Sequence, residues 1–154
     1  MKLCMIGTGY VGLVSGTCFS DLGNKVYCVD NDIKKIENLN RGISPIYEPG
    51  LNEIIKVNYK AKRLIFTSDL SLAVKNSDII FICVGTPTKK GSNSVDLSYI
   101  NKAITQILKE SKKRKIIVTK STVPVGTGDE IEKIIKKLKK RNFEIISNPE
   151  FLRE

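Results

Sequence analysis

Short runs of β-branched and other apolar residues alternate with segments of helical periodicity from one end of the chain to the other. The apolar runs predict six strands, at residues 2–6, 25–29, 64–66, 79–84, 115–119 and 144–147. The amphipathic segments between them predict six helices, at residues 10–22, 33–40, 51–57, 70–75, 97–110 and 128–140. Strands that alternate with helices are typical of a parallel sheet with crossover helices, so the sequence predicts an α/β fold.

Two segments indicate how these elements are buried. The run from Ile79 to Val84 is apolar without alternation, as expected for a central parallel strand that helices cover on both faces. The last predicted helix carries one apolar stripe, formed by Ile131, Ile134, Ile135 and Leu138. Right-handed crossovers through two successive βαβαβ halves predict a doubly wound parallel sheet, with helices on both faces and strand order 3-2-1-4-5-6.

A glycine-rich turn follows the first predicted strand and opens the first predicted helix. Its sequence fits the pattern G-x-G-x-x-G and reads Gly7-Thr8-Gly9-Tyr10-Val11-Gly12. In this pattern the first glycine permits the tight turn, the second lets the backbone approach a pyrophosphate, and the third lets the helix pack on the strand. The helix N-terminus then presents free N–H groups to the anion. The 154 residues suit one domain, so we expect a single dinucleotide-binding Rossmann domain over residues 1–154.

An acidic residue at the end of the second strand supports this interpretation. Asp30 lies 18 residues after Gly12 (30 − 12), close to the spacing of about 20 expected for the acid that binds the adenosine ribose. Asp32 adds a second negative charge beside it, and no arginine is adjacent, so NAD is favoured over NADP. Lys35 lies nearby, and the sequence leaves open whether it contacts the adenosine end or is a solvated helix residue.

Polar residues follow the fourth, fifth and sixth strands, where ligands of open α/β sheets gather. Thr86 comes after the fourth strand, Thr122 after the fifth, and Glu150 after the sixth. The two threonine hydroxyls can each exchange hydrogen bonds with a ribose, nicotinamide or substrate group. The alternative is that each hydroxyl satisfies the backbone of its own loop.

Composition and charge narrow the function classes. The chain is 41% hydrophobic and 27% charged, as in an ordinary globular protein. Its 26 basic and 16 acidic residues give a net charge of +10, which raises the question of a nucleic-acid partner. Eleven of the bases lie in 109–115 and 133–141. These two stretches are interpreted as separate ends of amphipathic helices, without nucleic-acid motifs or interleaved aromatic residues, so no nucleic-acid partner is expected.

The cysteines and the absence of histidine limit the chemistry. No C-x-x-C spacing occurs among Cys4, Cys18, Cys28 and Cys83, and the chain has no histidine, so no metal site is expected. All four thiols are predicted to be buried core residues, three in strands and one in the first helix. No apolar run approaches the length of a bilayer crossing, and we expect a cytoplasmic protein with neither a signal peptide nor a membrane partner.

Several longer motifs resemble a known family, the nucleotide-sugar dehydrogenases that oxidise UDP-glucose or GDP-mannose. The resemblance covers the whole chain and includes the glycine-rich turn together with four further blocks, 45–51, 81–87, 120–126 and 147–154. The block Ser121-Thr122-Val123-Pro124-Val125-Gly126 resembles the UDP-glucose branch, whereas the GDP-mannose branch tends to carry Ser-Thr-Val-Leu-Pro-Gly. The branch that acts on UDP-N-acetylmannosamine fits worst.

The resemblance implies NAD as cofactor and a four-electron oxidation of UDP-glucose to UDP-glucuronate, in an enzyme of polysaccharide biosynthesis that is a homo-oligomer. Cofactor contacts implied by position are those of Gly7, Thr8, Gly9, Tyr10, Val11, Gly12, Asp30, Lys35, Thr86, Ser121, Thr122 and Glu154. Substrate contacts are implied for Glu150, Phe151, Leu152, Arg153 and Glu154. Catalytic roles are implied for Thr122 and Glu150, which help to hold the water and the oxyanion; from the sequence alone, Glu150 is a surface charge.

The family pattern also includes parts that these 154 residues do not contain: a central helix, a second domain that binds the UDP-sugar, a catalytic lysine and a nucleophilic cysteine. We therefore expect either the cofactor-binding portion of a larger enzyme, inactive alone, or a self-standing NAD-binding module. Under the first hypothesis an apolar surface is left exposed. Phe151 and Leu152 are then predicted to be poorly ordered or packed on a neighbouring copy.

Overall fold

The computed structural model describes residues 1–89, 91, 94–140 and 142–150. Six strands form in this part of the chain: β1 (Lys2–Ile6), β2 (Lys25–Val29), β3 (Leu64–Thr67), β4 (Ile79–Ile82), β5 (Lys115–Thr119) and β6 (Phe143–Ser147). Six helices alternate with them: α1 (Tyr10–Asp21), α2 (Ile33–Asn40), α3 (Leu51–Lys60), α4 (Leu70–Asn76), α5 (Ser98–Glu110) and α6 (Thr127–Lys137). The predicted number, type and order of the elements are confirmed.

The strands form one parallel sheet in the order β3-β2-β1-β4-β5-β6, which confirms the predicted doubly wound topology. Along β1, Leu3 and Met5 point to one face of the sheet, whereas Cys4 and Ile6 point to the other. Helices α1, α2 and α3 cover the first face, and α4, α5 and α6 cover the second. Both faces of the central strands are buried, which is why their sequences show no polar alternation.

Three predicted boundaries are wrong by more than one residue, and each has a local cause. Helix α3 continues to Lys60 because Asn58 is fully buried, where its side-chain amide donates to Asp21 and to a backbone carbonyl. Helix α6 ends at Lys137 because Lys139 has a left-handed φ of 53°. Strand β4 ends at Ile82, whose carbonyl accepts bonds from two backbone N–H groups beyond β5. The other boundaries differ by at most one residue.

The prediction that all four cysteines are buried is wrong for Cys18. Cys4, Cys28 and Cys83 are buried, whereas Cys18 is exposed. Helix α1 turns its small residues toward the sheet, Gly16 and Thr17 among them, so the next position points away. Burial raises the pKa of the Cys83 thiol to about 12, which makes this thiol a poor nucleophile.

The apolar stripe predicted for the last helix is confirmed at its centre and wrong at its end. Ile131 and Ile135 are buried and Ile134 packs against the same core. Leu138 is 48% exposed, since the helix has ended one residue before it and the chain turns away from the sheet.

Candidate functional site

A groove of about 660 Å³ opens at the carboxyl ends of the central strands, where the strand order reverses between β1 and β4. This volume lies within the range of small-molecule and cofactor sites. The sequence-predicted residues Gly7, Gly9, Asp30 and Lys35 line it. The groove is also lined by residues that sequence reasoning missed, namely Ser68, Leu70, Tyr99, Lys102 and Gln106. Three of these, Tyr99, Lys102 and Gln106, lie on α5; the sequence predicts this helix but not the groove that it borders.

The glycine-rich turn is held by close backbone packing at two of its three glycines. Gly7 has a φ of +101°, and a Cβ added there would lie 2.6 Å from the Cys83 carbonyl oxygen. A Cβ on Gly12 would lie 1.9 Å from the carbonyl oxygen of Gly7. Neither position has room for a side chain, because the obstructing atoms belong to the backbone. These two glycines therefore shape the turn itself.

Gly9 differs from the other two glycines because it faces open space. An added Cβ would meet nothing within 4 Å, and Gly9 is the N-cap of α1 without a side-chain cap. The first-turn N–H groups of α1 thus face the groove free of a capping side chain. An anion at this point would meet these N–H groups and the positive end of the helix dipole.

Three side chains meet at Asp30, which ends β2. The hydroxyl and backbone N–H of Thr8 donate to its Oδ2 at 2.7 and 2.9 Å, and Lys35 Nζ lies 3.0 Å from the same oxygen. Oδ1 accepts one bond, from the Asp32 backbone N–H at 3.1 Å. Lys35 is therefore part of the groove wall and not a solvated helix residue. Thr8 is fully buried, so the carboxylate is anchored to the glycine-rich turn.

Asp30 is ionised under physiological conditions. Burial by itself raises the pKa of this carboxyl, but four hydrogen bonds to the ionised form outweigh burial. They come from the Thr8 hydroxyl, the Asp32 and Thr8 backbone N–H groups, and Lys35, and together they hold the pKa at about 2. The groove thus contains a fixed negative charge with room for a further donor at Oδ1.

Two other residues of the turn contact protein groups. Tyr10 donates its phenol hydrogen to the Glu48 carboxylate at 2.6 Å, which attaches the loop between α2 and α3 to the start of α1. Val11 packs against the apolar cluster beneath α1. The side chains of Tyr10 and Val11 therefore stabilise the glycine-rich turn through contacts within the protein.

The loops after β4, β5 and β6 are linked by hydroxyl groups. Ser121 donates to the carbonyls of Ile82 and Val84, Thr86 donates to the Thr122 carbonyl at 2.9 Å, and Thr122 donates to the Glu150 carbonyl at 2.9 Å. Both threonines therefore bind backbone, though the carbonyls belong to neighbouring loops and not to their own. Each hydroxyl oxygen retains lone pairs that can accept a bond.

Sequence reasoning missed Lys120, which pairs with Glu150. Lys120 Nζ lies 2.5 Å from the Glu150 carboxylate and 3.4 Å from Asn148 Oδ1. The lysine side chain is 13% exposed and that of Glu150 30%, so Glu150 is not the free surface charge that the sequence alone predicts. The position of Lys120 in the sequence could have identified it, because it is the first residue after β5 and directly precedes Ser121.

Phe151, Leu152, Arg153 and Glu154, for which the sequence predicts substrate or cofactor contacts, lie outside the described residues. Within the described residues, no group of three or more histidine, cysteine, aspartate or glutamate side chains could hold a metal ion. Nor does any helix there have the length and hydropathy to cross a membrane.

Comparison with known proteins places this chain among nucleotide-sugar dehydrogenases. The sequence model of the UDP-glucose/GDP-mannose dehydrogenase family, NAD binding domain, matches residues 1–154. The chain is 52% identical over 155 residues to UDP-glucose 6-dehydrogenase of Rhizobium meliloti, covering 100% of this chain and 36% of that protein. It is 51% identical over 155 residues to UDP-glucose 6-dehydrogenase TuaD of Bacillus subtilis, covering 99% and 33%. The chain thus spans about a third of the length of these curated relatives.

Solved structures of nucleotide-sugar dehydrogenases also have the fold of this chain. A ternary complex of GDP-mannose dehydrogenase from Pseudomonas aeruginosa superposes with a TM-score of 0.91 at 40% identity, covering 100% of this chain and 37% of that one. A UDP-glucose dehydrogenase from Pyrobaculum islandicum superposes with a TM-score of 0.90 at 36% identity, covering 99% and 36%.

Proposed function

Since this chain belongs to the UDP-glucose/GDP-mannose dehydrogenase family and matches its NAD-binding domain, we propose that it provides the cofactor site of a UDP-glucose 6-dehydrogenase. Such an enzyme oxidises UDP-glucose to UDP-glucuronate, with two NAD accepting the hydrides. The residues 1–154 act as one domain in this proposal. The observation that carries it is the ionised Asp30, anchored by Thr8 to a glycine-rich turn with an open face at Gly9.

The residues present fit a dinucleotide. The diphosphate would lie against Gly9 and the first-turn N–H groups of α1, where the open space and the helix dipole favour an anion. The adenosine ribose would donate a hydroxyl to Asp30 Oδ1, which accepts one bond, whereas Oδ2 already accepts three. Lys35 holds the carboxylate in place from the other side.

The same geometry supports NAD over NADP. A 2′-phosphate would stand beside the ionised Asp30, and Lys35, the cation closest to that carboxylate, is already paired with it. Two negative charges side by side repel each other, and the half-buried carboxylate is screened less than an exposed one. The adenine side of the groove is bounded by Leu70, while Lys102 and Gln106 offer polar contacts from α5.

The reacting end of the cofactor would lie near the loops after β4, β5 and β6. There Thr86 and Ser121 fix the loop backbones, and the Thr122 hydroxyl oxygen can accept a bond from a water or a substrate hydroxyl. Lys120 occupies one side of the Glu150 carboxylate, so the remaining side can orient a water or accept its proton. We also propose that residues 150–154 contact the substrate.

The identities support UDP-glucose over the alternatives. The support comes from the curated relatives at 52% and 51% identity, which are UDP-glucose 6-dehydrogenases. The solved structures separate only the third branch: the GDP-mannose and UDP-glucose dehydrogenases are 40% and 36% identical, whereas a UDP-N-acetylmannosamine dehydrogenase is 28% identical. The second candidate is a non-catalytic NAD-binding module, since the groove with Gly9 and Asp30 would bind the cofactor in either case. Three buried free thiols support a reducing compartment such as the cytoplasm. The family resemblance supports a homo-oligomer of nucleotide-sugar metabolism without a nucleic-acid partner.

Titration of the ¹⁵N-labelled chain with NAD⁺, followed by amide chemical shifts, tests the proposed position of the cofactor. Shifts are expected at Gly7, Gly9, Asp30 and Lys102, because the ligand would change the environment of each N–H. Ile145, on the far edge of the sheet, provides an internal control and is expected to stay constant. Shifts concentrated near Ile145, with the glycine-rich turn unmoved, would contradict the proposal.

A further inference from the structure

Two lysine-rich segments that are distant in sequence meet at the amino ends of β5 and β6. The Lys115 backbone N–H donates to the Asn142 carbonyl at 2.9 Å, and the Asn142 side-chain amide donates to the Lys112 carbonyl at 2.5 Å. Helices α5 and α6 end on this side, since both run antiparallel to the strands that follow them. The two segments, interpreted from the sequence as separate helix ends, therefore lie side by side, because the pairing of β5 with β6 brings them together. We call their cationic residues Lys112, Lys113, Lys136, Lys137, Lys139 and Lys140 the lysine face.

The acidic residues near the lysine face are already engaged. Glu132 pairs with Lys136 at 3.1 Å, and Glu144 accepts from Arg114 Nε at 3.0 Å. Glu110 accepts from the Ser71 hydroxyl and lies 3.6 Å from Lys75. The charge of Lys136 is thus offset by Glu132. Of the other five lysines of the face, four are exposed and Lys140 is half-buried, so their charge is available to a partner.

Apolar surface lies within the same region. Leu138, between pairs of lysines in the sequence, is 48% exposed. Beside it, a cleft of about 920 Å³ separates α6 from β6, with Ile135, Phe143 and Ile145 along it and lysines at its edge. The apolar stripe of α6 is buried against the sheet, so Leu138 is the apolar side chain of the helix end that could enter a membrane surface beside the lysines.

From these observations we propose that the lysine face docks on an anionic lipid surface, with the lysines near the headgroups and Leu138 at the acyl boundary. Each lysine near such a surface adds to the attraction, and clusters of 4–8 are typical of lipid-binding segments. Nucleic acid fits less well, since the guanidinium of Arg114, which lies beside this face, is already paired with Glu144 and the lysine face itself carries no aromatic ring for base stacking. The proposal departs from the expectation of no membrane partner, which was based on the absence of a span.

The proposed contact leaves the cofactor groove accessible. The lysine face lies at the amino ends of the strands, whereas the groove lies at their carboxyl ends. Lipid binding and NAD binding should therefore be independent, and the first can fail while the second succeeds.

Co-sedimentation with vesicles tests the proposal directly. The chain is expected to bind phosphatidylcholine vesicles that contain about 30% phosphatidylglycerol, and not pure phosphatidylcholine vesicles. Raising the salt to about 0.5 M should release it, because salt screens the attraction. No binding to the anionic vesicles at low salt would overturn the proposal. Tighter binding to duplex DNA than to the vesicles at equal salt would overturn it as well, in favour of a nucleic-acid surface.

The variant that tests the face combines Lys136→Gln, Lys139→Gln and Lys140→Gln. At roughly 1 kcal/mol for each lysine near the surface, this triple variant is expected to lower the vesicle partition coefficient by about 100-fold. Leu138→Ser, made as a single change in the wild-type chain, leaves the net charge unchanged. It should nevertheless weaken vesicle binding, because it removes the apolar contact with the acyl boundary. Both variants should retain NAD binding, which also shows that they fold.

A matched control removes the same charge elsewhere. Lys34→Gln, Lys56→Gln and Lys60→Gln change three exposed lysines of α2 and α3, and their expected effect on vesicle binding is about twofold or less. If both triple variants lost the same affinity, net charge and not the lysine face would explain the binding, and the proposal would be overturned.

Discussion

Gly12→Ala is expected to cause a large loss of stability. The new Cβ would lie 1.9 Å from the Gly7 carbonyl oxygen and 3.0 Å from the Gly7 carbonyl carbon. These are backbone atoms of a turn in which Gly7 already has a positive φ and touches the Cys83 carbonyl, so the turn cannot yield without moving β4 as well. Overpacking against backbone of this kind costs about 3 kcal/mol, which corresponds to a fall in Tm of roughly 6–12 °C for a domain of this size.

Gly9→Ala provides the matched control. The added Cβ would meet no atom within 4 Å, and Gly9 has an ordinary φ of −72°, so stability should change by about 0.5 kcal/mol or less. The Cβ would, however, project where the diphosphate is proposed to lie, and NAD affinity should fall. Urea unfolding of the two variants measures the difference. If Gly12→Ala were as stable as Gly9→Ala, the turn would not have the tight packing described.

Asp30→Asn is expected to lower the free energy of unfolding and to abolish NAD binding. The folded-state pKa of Asp30 is about 2 and its ordinary value is 3.8, so the carboxylate contributes stability that is present above pH 3.8 and lost as the pH falls through 2. A pKa lowered from 3.8 to about 2 corresponds to about 2 kcal/mol. At pH 7 the free energy of unfolding of the wild-type chain should therefore exceed that of the variant by about this amount, and the difference should vanish below pH 2.

Urea unfolding at pH 7 and at low pH measures this difference. The control is Asp129→Asn, at an exposed position of α6, which should change stability little at either pH. A constant gap between wild type and Asp30→Asn across the whole pH range would contradict the account. It would mean that the loss comes from packing and not from the hydrogen bonds to the ionised form.

Much of the fold could be predicted from the sequence because its determinants are local. The apolar runs of β1 and β4 and the handedness of crossovers give the strand order without knowledge of any contact. The predicted ends of helices were wrong where residues distant in the sequence contact the helix. Asn58 continues α3 only because Asp21 accepts its amide hydrogen. Cys18 is exposed because the small residues of α1 are the ones that face the sheet.

The same holds for the candidate site: residues with a characteristic spacing could be predicted, whereas residues that only the fold brings to the site could not. Asp30 and the glycines carry a spacing that the sequence alone displays, and the structure places both on one groove. The α5 residues Lys102 and Gln106 carry no such spacing, since helical periodicity identifies the buried face but not what the neighbouring face contacts. Lys120 likewise becomes a site residue only when β5 and β6 bring it to Glu150.

Calorimetric titration of the purified chain with NAD⁺ and, in parallel, NADP⁺ at physiological salt tests the proposed cofactor site most directly. We expect saturable NAD⁺ binding, weaker binding of NADP⁺, and loss of the NAD⁺ signal in Asp30→Ala, with that variant shown to be folded by its circular dichroism. An absence of heat at millimolar NAD⁺, or an equal affinity for NAD⁺ in wild type and Asp30→Ala, would contradict the claim that Asp30 and the glycine-rich turn form an NAD site.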